Sequence, residues 1–232
     1  MLFETATLTG FQRRANLIRE EMVLNTQAYS EDFKGHAGVV VARRQTPGGH
    51  AAHLLLDAYM LAENEHCLSV ICSADKSGTV RNPFSAEVRE MIYREMLQEV
   101  AWPQSYMRRL DIVTLRDYSD EGDVSEAWGN YLWANIVSRL PSGVDKFRIY
   151  YSDEIEIIKS WFPTKFLQDR VEIRHLKRED ILDGLSGTKI REAILDPTPA
   201  GMEYLMEFCP EAMRRRLPTL RPQLQKIMEN GG

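Results

Sequence analysis

Short apolar runs alternate with helix-spaced segments along most of this chain, and that alternation limits the possible folds more than any other feature. The run Gly38 to Ala42 (GVVVA) is entirely apolar, and the run Cys67 to Cys72 (CLSVIC) is interrupted by one serine. Between them, His50 to Asn64 has helical spacing. Strands buried on both faces of a parallel sheet are continuous in this way, so the three segments predict a βαβ unit.

The same alternation continues toward the C-terminus. Further strands are predicted at Leu110–Leu115 (LDIVTL), Phe147–Tyr151 (FRIYY) and about 171–175, and helices at about 8–28, Ser85–Val100, about 124–139, about 154–161 and from Gly187 onward. We therefore predict an α/β fold, a doubly wound, Rossmann-like parallel sheet of about five strands with a helical C-terminal part. Residues 1–36 are predicted to form an N-terminal helical extension, and residues 37–232 the main domain.

The composition is that of an ordinary globular protein and excludes several classes. The 232 residues are 44% hydrophobic and 27% charged, and the net charge of -5 gives no reason to expect a nucleic-acid partner. An anionic ligand would therefore need a local site. Three cysteines without metal-ligand spacing indicate a reducing cytoplasm, and no apolar run is long enough to cross a bilayer. We expect a cytoplasmic protein without a membrane partner.

Two of the five histidines, His50 and His53, stand in the stretch TPGGHAAH, which joins a predicted strand to a predicted helix. Ligands of doubly wound folds bind at such strand ends, beside helix N-termini that attract anions. The glycines permit close backbone approach, and the first helical turn aims both histidines at one space, where a phosphate chain would fit. The alternatives are a core histidine, a surface cap or half of a metal site. No nearby residue has a recognised spacing for a third zinc ligand, so no protein metal ligand is predicted.

A second anion site is predicted at LSGTKIREAI, Leu185 to Ile194. Ser186 can cap a helix whose first turn holds Gly187 and Thr188, and Arg191 follows within the next turn. The alternative is an ordinary capped helix at the surface. The presence of the histidine loop in the same α/β pattern favours the anion site.

These motifs resemble those of the HxGH-type nucleotidyltransferases, which share an early (H/T)xGH loop and a late (I/L)S(G/S)TxxR helix start. Over roughly residues 38–215 the chain looks most like the archaeal-type nicotinamide-mononucleotide (NMN) adenylyltransferases. CSADKSGTVRNPFSAEVREMI, starting at Cys72, is similar to that family's GSAxKSxxxxNPFTAxERxxMI segment. EAWGNYL, from Glu126, resembles a segment carrying a tryptophan, and YYSDEIEIIKSWF, from Tyr150, resembles YSGNPLVxxLF.

The chain departs from this pattern in its first motif. Ala52 stands where the family has glycine, and the loop ARRQTPGGH is longer than the family's GRxQPxH. An alternative alignment takes Gly49-His50 as the family's Gly-His pair. We favour His50 and His53, because the spacing from His53 to Ser73 then matches without a gap. Val88 also replaces a glutamate that is usual in the family.

The resemblance implies adenylyl transfer from ATP to NMN, giving NAD and pyrophosphate. It assigns the catalytic role to His50, His53, Arg81 and Arg191, and ATP binding to Arg43, His50, His53, Ser186, Thr188 and Arg191. Mononucleotide binding falls to Ser73, Arg81, Asn82, Pro83, Phe84 and Trp128, with the Trp128 ring stacking on the nicotinamide.

Mg²⁺ is the implied cofactor, held mainly by phosphate oxygens and water. ATP and NMN are the expected partners, together with further copies of the chain in a homo-oligomer. Two alternatives stay open. One is adenylyl or cytidylyl transfer to another phosphorylated acceptor, such as phosphopantetheine or a polyol phosphate, because the shared motifs do not specify the acceptor. The other is a nucleotide-binding regulator without turnover.

Overall fold

The computed structural model describes residues 9–25, 36–118, 125–152, 155–176 and 185–230. Its centre is a five-stranded parallel sheet, which confirms the predicted fold class. The strands are β1 (His36–Ala42), β2 (His66–Ile71), β3 (Leu110–Thr114), β4 (Lys146–Tyr151) and β5 (Val171–His175). Their order in the sheet is β3-β2-β1-β4-β5.

Helices connect the strands and form the C-terminal part of the chain. They are α1 (Gly10–Asn25), α2 (Ala51–Glu63), α3 (Ala86–Glu99), α4 (Gln104–Met107), α5 (Glu126–Val137), α6 (Ile155–Trp161), α7 (Lys165–Gln168), α8 (Gly187–Leu195), α9 (Pro199–Phe208), α10 (Glu211–Arg214) and α11 (Leu217–Asn230). The predicted longer helices and the helical C-terminal part are confirmed. The short helices α4 and α7 were not predicted. None of the described helices is long and apolar enough to span a bilayer.

The sheet is buried on both faces because alternate residues of each strand point to opposite sides. Val40 of β1 packs in a core with α2, α3 and the C-terminal helices. Its neighbours Val39 and Val41 pack in a second core with α5 and α6. The continuous GVVVA run is therefore apolar because each of its sides faces a helical layer.

The first helix packs against the main body of the protein. Phe11 and Ala15 of α1 are buried in the same core as α2 and the C-terminal helices. Arg14 pairs with Glu207 of α9. The remainder of the predicted extension, residues 1–8 and 26–35, lies outside the described residues.

The strand order places a crevice beside the histidine loop. The connection after β1 leads to β2 on one side, whereas β4 lies on the other side of β1. The chain segments that follow β1 and β4 therefore diverge, and such a switch point is where open α/β sheets bind ligands.

Candidate active site

A cavity of about 530 Å³ opens at the carboxyl ends of β1 and β4. Its lining includes five residues to which the resemblance assigned a role, namely Arg43, His50, His53, Arg81 and Arg191. Among the described residues, no aspartate or glutamate lines it. The cavity therefore has the cationic character that a polyphosphate requires, on a protein whose net charge is negative.

The loop before α2 makes a tight turn that brings backbone close to α3. The Gly49 N–H donates to the Thr46 carbonyl at 2.7 Å, and Gly48 and Gly49 have φ angles of 79° and 124°. A Cβ on Gly48 would lie 2.7 Å from Ile92 Cγ2 and from the Tyr93 backbone N. This turn therefore requires glycine both for its conformation and for its close approach.

The two histidines lie side by side at the start of α2. His50 is the N-cap, and its Nδ1 accepts a hydrogen bond from the Ala52 N–H at 3.2 Å. The His53 ring stacks on the His50 ring with centroids 4.1 Å apart and planes 18° apart. The expectation that both rings share one space is confirmed. His50 also caps the helix, as one of the alternatives proposed, but it is buried rather than at the surface.

The late helix α8 begins at the same cavity. Ser186 Oγ caps it by accepting from the Lys189 N–H at 3.1 Å, as predicted. Arg191 Nη2 donates to Thr188 Oγ1 at 3.3 Å. Gly187 lies beside the early loop, since a Cβ placed on it would be 3.6 Å from Thr46 Cγ2. The early and late motifs, far apart in sequence, thus face each other across one space.

The Asn82-Pro83-Phe84 turn is buried next to this space, and all three residues lie outside the cavity lining. Gln45 holds it from the loop after β1: its Oε1 accepts from the Phe84 N–H at 3.1 Å, and its Nε2 donates to Asn82 Oδ1 at 3.4 Å. Arg81, just before the turn, is exposed and lines the cavity.

Ser73 is held by an unusual backbone conformation and by a side-chain hydrogen bond. It follows β2 with a φ angle of 52°, is buried, and its hydroxyl donates to Asp117 Oδ1 at 2.8 Å. It is absent from the cavity lining. Its predicted role in mononucleotide binding stays a prediction.

Trp128, the predicted ring-stacking residue, is only 1% exposed. Its indole packs edge-on against Trp161, with centroids 6.1 Å apart, and against Tyr131. Trp161 lines the cavity, together with Tyr151 and Ile157, whereas Trp128 does not. In this structure Trp161 and Tyr151 therefore supply the aromatic wall of the cavity, and Trp128 lies in contact with Trp161.

The described part of the chain offers few side chains that could bind a metal ion. No group of three His, Cys, Asp or Glu side chains there could hold one. The side chains around the cavity are mainly cationic or apolar, so the described residues do not fit a protein-held metal. A hard divalent ion would have to enter on the oxygens of a bound polyphosphate.

Several cavity residues had no predicted role, among them Trp161, Thr46 and Arg44. Trp161 had no predicted role, because the resemblance places the ring-stacking tryptophan at Trp128. Thr46 is 3% exposed, and its hydroxyl has no hydrogen-bond partner among the described residues, so a ligand oxygen is a natural partner for it. Arg44 lines the cavity although it is almost wholly buried. The sequence feature that could have pointed to Arg44 is the pair of adjacent arginines in ARRQ, directly after the first strand.

This chain is similar in fold to solved structures of known proteins. No protein-family profile and no curated protein sequence match this chain. Among solved structures, it is similar to a bifunctional NMN adenylyltransferase/ADP ribose pyrophosphatase from Francisella tularensis, with a TM-score of 0.60 and 17% identity over 84% of this chain and 53% of the other. The same kind of protein, complexed with AMP and a Mn ion, matches with a TM-score of 0.58 and 18% identity, over 84% of this chain and 52% of the other. The chain spans about half the length of these proteins.

Proposed function

We propose that this protein is an adenylyltransferase that joins ATP and NMN to give NAD and pyrophosphate. The observation that carries the proposal is the meeting of the histidine loop and the N-terminus of α8 across one cationic cavity. The likeness of fold to structures described as NMN adenylyltransferases supports the same reaction class. The motif resemblance supplies the substrates.

The chemistry needs alignment and charge stabilisation more than it needs a base. A phosphate oxygen of NMN attacks the α-phosphorus of ATP, the new P–O bond forms, and the bond from that phosphorus to the bridging oxygen of the β-phosphate breaks. The electron pair leaves with pyrophosphate. Because the attacking phosphate is already ionised near neutral pH, no proton has to be removed from the nucleophile.

The residues of the cavity would divide this work by position. His50 and His53 would contact the triphosphate from the early loop, with Arg43 beside them. Arg191 and the free N–H groups at the start of α8 would hold the β- and γ-phosphates, with Ser186 as the cap and Thr188 next to Arg191. These donors would neutralise the charge that moves onto the departing pyrophosphate.

The acceptor would bind beside the Asn82-Pro83-Phe84 turn. Arg81 is exposed at the cavity and would hold the mononucleotide phosphate or the transferring phosphoryl group. The nicotinamide ring is flat and, in NMN, cationic, so it favours an aromatic face. Trp128 remains the proposed partner of that ring, with Trp161 as its neighbour on the cavity side. Mg²⁺ would enter with the bound triphosphate rather than on protein side chains, and it would supply positive charge that offsets the charge of the phosphates.

Pyrophosphate release with a panel of acceptors tests the proposal. The purified protein is incubated with ATP and Mg²⁺ plus NMN, nicotinic acid mononucleotide, phosphopantetheine or glycerol 3-phosphate. We expect release that depends on a pyridine mononucleotide. Release with phosphopantetheine or glycerol 3-phosphate alone would overturn the acceptor assignment, and no release with any acceptor would overturn adenylyl transfer itself.

A further inference from the structure

Arg44 is a buried charge immediately behind the histidine loop. It follows β1, has a φ angle of 49°, and is 1% exposed. Arginine is seldom buried unless its charge is paired, and a non-glycine residue at positive φ is uncommon. Both features persist only where the surroundings hold the residue firmly. The motif resemblance assigns no role to this position.

The guanidinium is held by three separate elements of the fold. Its Nη2 donates to Asp57 of α2, at 2.7 Å to Oδ1 and 3.0 Å to Oδ2, and to Ser69 Oγ of β2 at 2.8 Å. Its central carbon lies 3.7 Å from the centroid of the Tyr93 ring on α3. A planar fork that pairs and stacks at once is a property of arginine that lysine lacks.

The loop itself wraps around the same group. Arg44 Nη1 donates to the Gly48 carbonyl at 3.3 Å, and a Cβ on Gly49 would lie 3.0 Å from that nitrogen. Asp57 is one helical turn after His53, so the ion pair also fixes the first turns of α2. One guanidinium therefore connects the turn, the start of α2 and the sheet.

The charge on Arg44 adds little to the field in the cavity because Asp57 compensates it. Both side chains of the pair are fully buried. Burial opposes the charge on Arg44, but the Asp57 carboxylate together with Tyr93 and Cys72 outweighs burial, and the pKa of Arg44 is raised. Burial raises the pKa of Asp57, and the guanidinium opposes that rise. The pair therefore acts through geometry rather than through net charge.

We propose that Arg44 is a positioning residue, which holds the Thr46–Gly49 turn and the two histidines in the arrangement that binds the triphosphate. This inference rests on the proposed function. A purely stabilising role explains the pair poorly, since well-packed apolar residues in place of a buried ion pair are often as stable or more stable. What the apolar pair cannot replace is the donor to Gly48, which sets the path of the loop.

The test separates an effect of Arg44 on the stability of the protein from its effect on the path of the loop. In the double variant Arg44→Met/Asp57→Leu neither partner leaves an unpaired buried charge. We expect a folded protein whose kcat/KM for ATP falls at least about tenfold, with weaker binding of inorganic tripolyphosphate in calorimetry and an acceptor KM within about twofold of wild type. Wild-type values for ATP and tripolyphosphate in the folded double variant would overturn the proposal.

Arg148→Met is the matched control. Arg148 is also buried and paired, with Glu172 at 2.7 Å and Glu63 at 3.3 Å, but it lies near the opposite end of the sheet and outside the cavity lining. The Arg148→Met variant should have a lower midpoint of thermal unfolding and an unchanged kcat/KM for ATP. An equal loss of ATP use in both variants would show that Arg44 acts through stability alone.

Arg44→Lys keeps the inference testable if the double variant does not fold. An ammonium can pair with Asp57 but cannot reproduce the stacked fork that reaches Gly48 at the same time. We expect the same loss of tripolyphosphate affinity, and wild-type affinity in the folded lysine variant would overturn the proposal. A wild-type protein that binds tripolyphosphate but makes no NAD would contradict the proposed function alone. The tripolyphosphate affinities of the wild-type protein and the Arg44 variants would still test the role of Arg44.

Discussion

Gly187 and Thr46 lie side by side: a Cβ placed on Gly187 would be in ordinary van der Waals contact, 3.6 Å from Thr46 Cγ2. The same Cβ would be 3.8 Å from Arg191 Nη1. The first residue of α8 thus lies against the early loop at the wall of the cavity proposed for the triphosphate, where a long side chain would extend into that cavity.

Side chains of increasing size at Gly187 should close this space in steps. We expect Gly187→Ala to fold normally and to use ATP nearly as well as wild type, because its methyl group meets no atom too closely. Gly187→Leu should raise the KM for ATP at least about tenfold with little change in the free energy of unfolding. Steady-state kinetics and denaturant unfolding measure the two quantities. Normal ATP use by the leucine variant would place the triphosphate elsewhere.

The histidines should contribute to turnover beyond their part in capping α2. Because His50 is the N-cap, His50→Ala would also cost about 1 kcal/mol of stability, whereas asparagine is a good N-cap. We therefore expect His50→Asn to keep the fold and to lower kcat at least about tenfold, about 1.4 kcal/mol of transition-state stabilisation. His53→Ala should lower kcat by a similar factor.

His66→Asn, at the start of β2 and outside the cavity lining, is the control for both variants and should keep the wild-type kcat. If His50→Asn is as active as wild type, capping is the whole role of His50.

The sequence predicted the histidine loop and α8 well because their signals are local. A capping serine, a glycine turn and the spacing of apolar residues act within a few positions, so His50–Asn64 was placed within one residue of the observed α2 at either end. Arg44 could not be assigned in this way. Its burial depends on Asp57, Ser69 and Tyr93, which only the folded sheet brings together.

The residues that form the aromatic wall of the cavity could not be read from the sequence for a similar reason. Trp128 and Trp161 lie on α5 and α6, which approach closely because Gly129 leaves room for the Trp161 carbonyl. Which of two packed tryptophans faces a cavity is decided by helix packing, and neither composition nor spacing reports it.

Arg191 should require a guanidinium. Its fork can hold two phosphate oxygens at once, whereas an ammonium is a point charge. We expect Arg191→Lys to lower kcat/KM for ATP at least about tenfold, and Lys189→Met, on an exposed face of the same helix, to change it less than about twofold. An Arg191→Lys variant with wild-type kcat/KM would show that Arg191 does not hold phosphate.

Substitutions of the tryptophans should affect the binding of the acceptor more than the binding of ATP. Trp128→Phe retains most of the buried apolar volume, so the protein should fold, and we expect its KM for NMN to rise several-fold more than its KM for ATP. Trp133→Phe, on the same helix and outside the cavity lining, is the control. A rise that appears in Trp161→Phe and not in Trp128→Phe would assign the ring contact to Trp161 instead.

The identity of the product decides whether this protein transfers the adenylyl group of ATP to NMN. The protein is incubated with Mg²⁺, NMN and ATP labelled with ³²P at the α-phosphate, and the products are separated by chromatography and weighed by mass spectrometry. We expect the label to appear in NAD, in equal amounts with unlabelled pyrophosphate, and we expect His50→Asn to slow the formation of both products together. Label that appears only in AMP, or stays in ATP while the protein is folded and saturated with both substrates, would contradict adenylyl transfer to NMN.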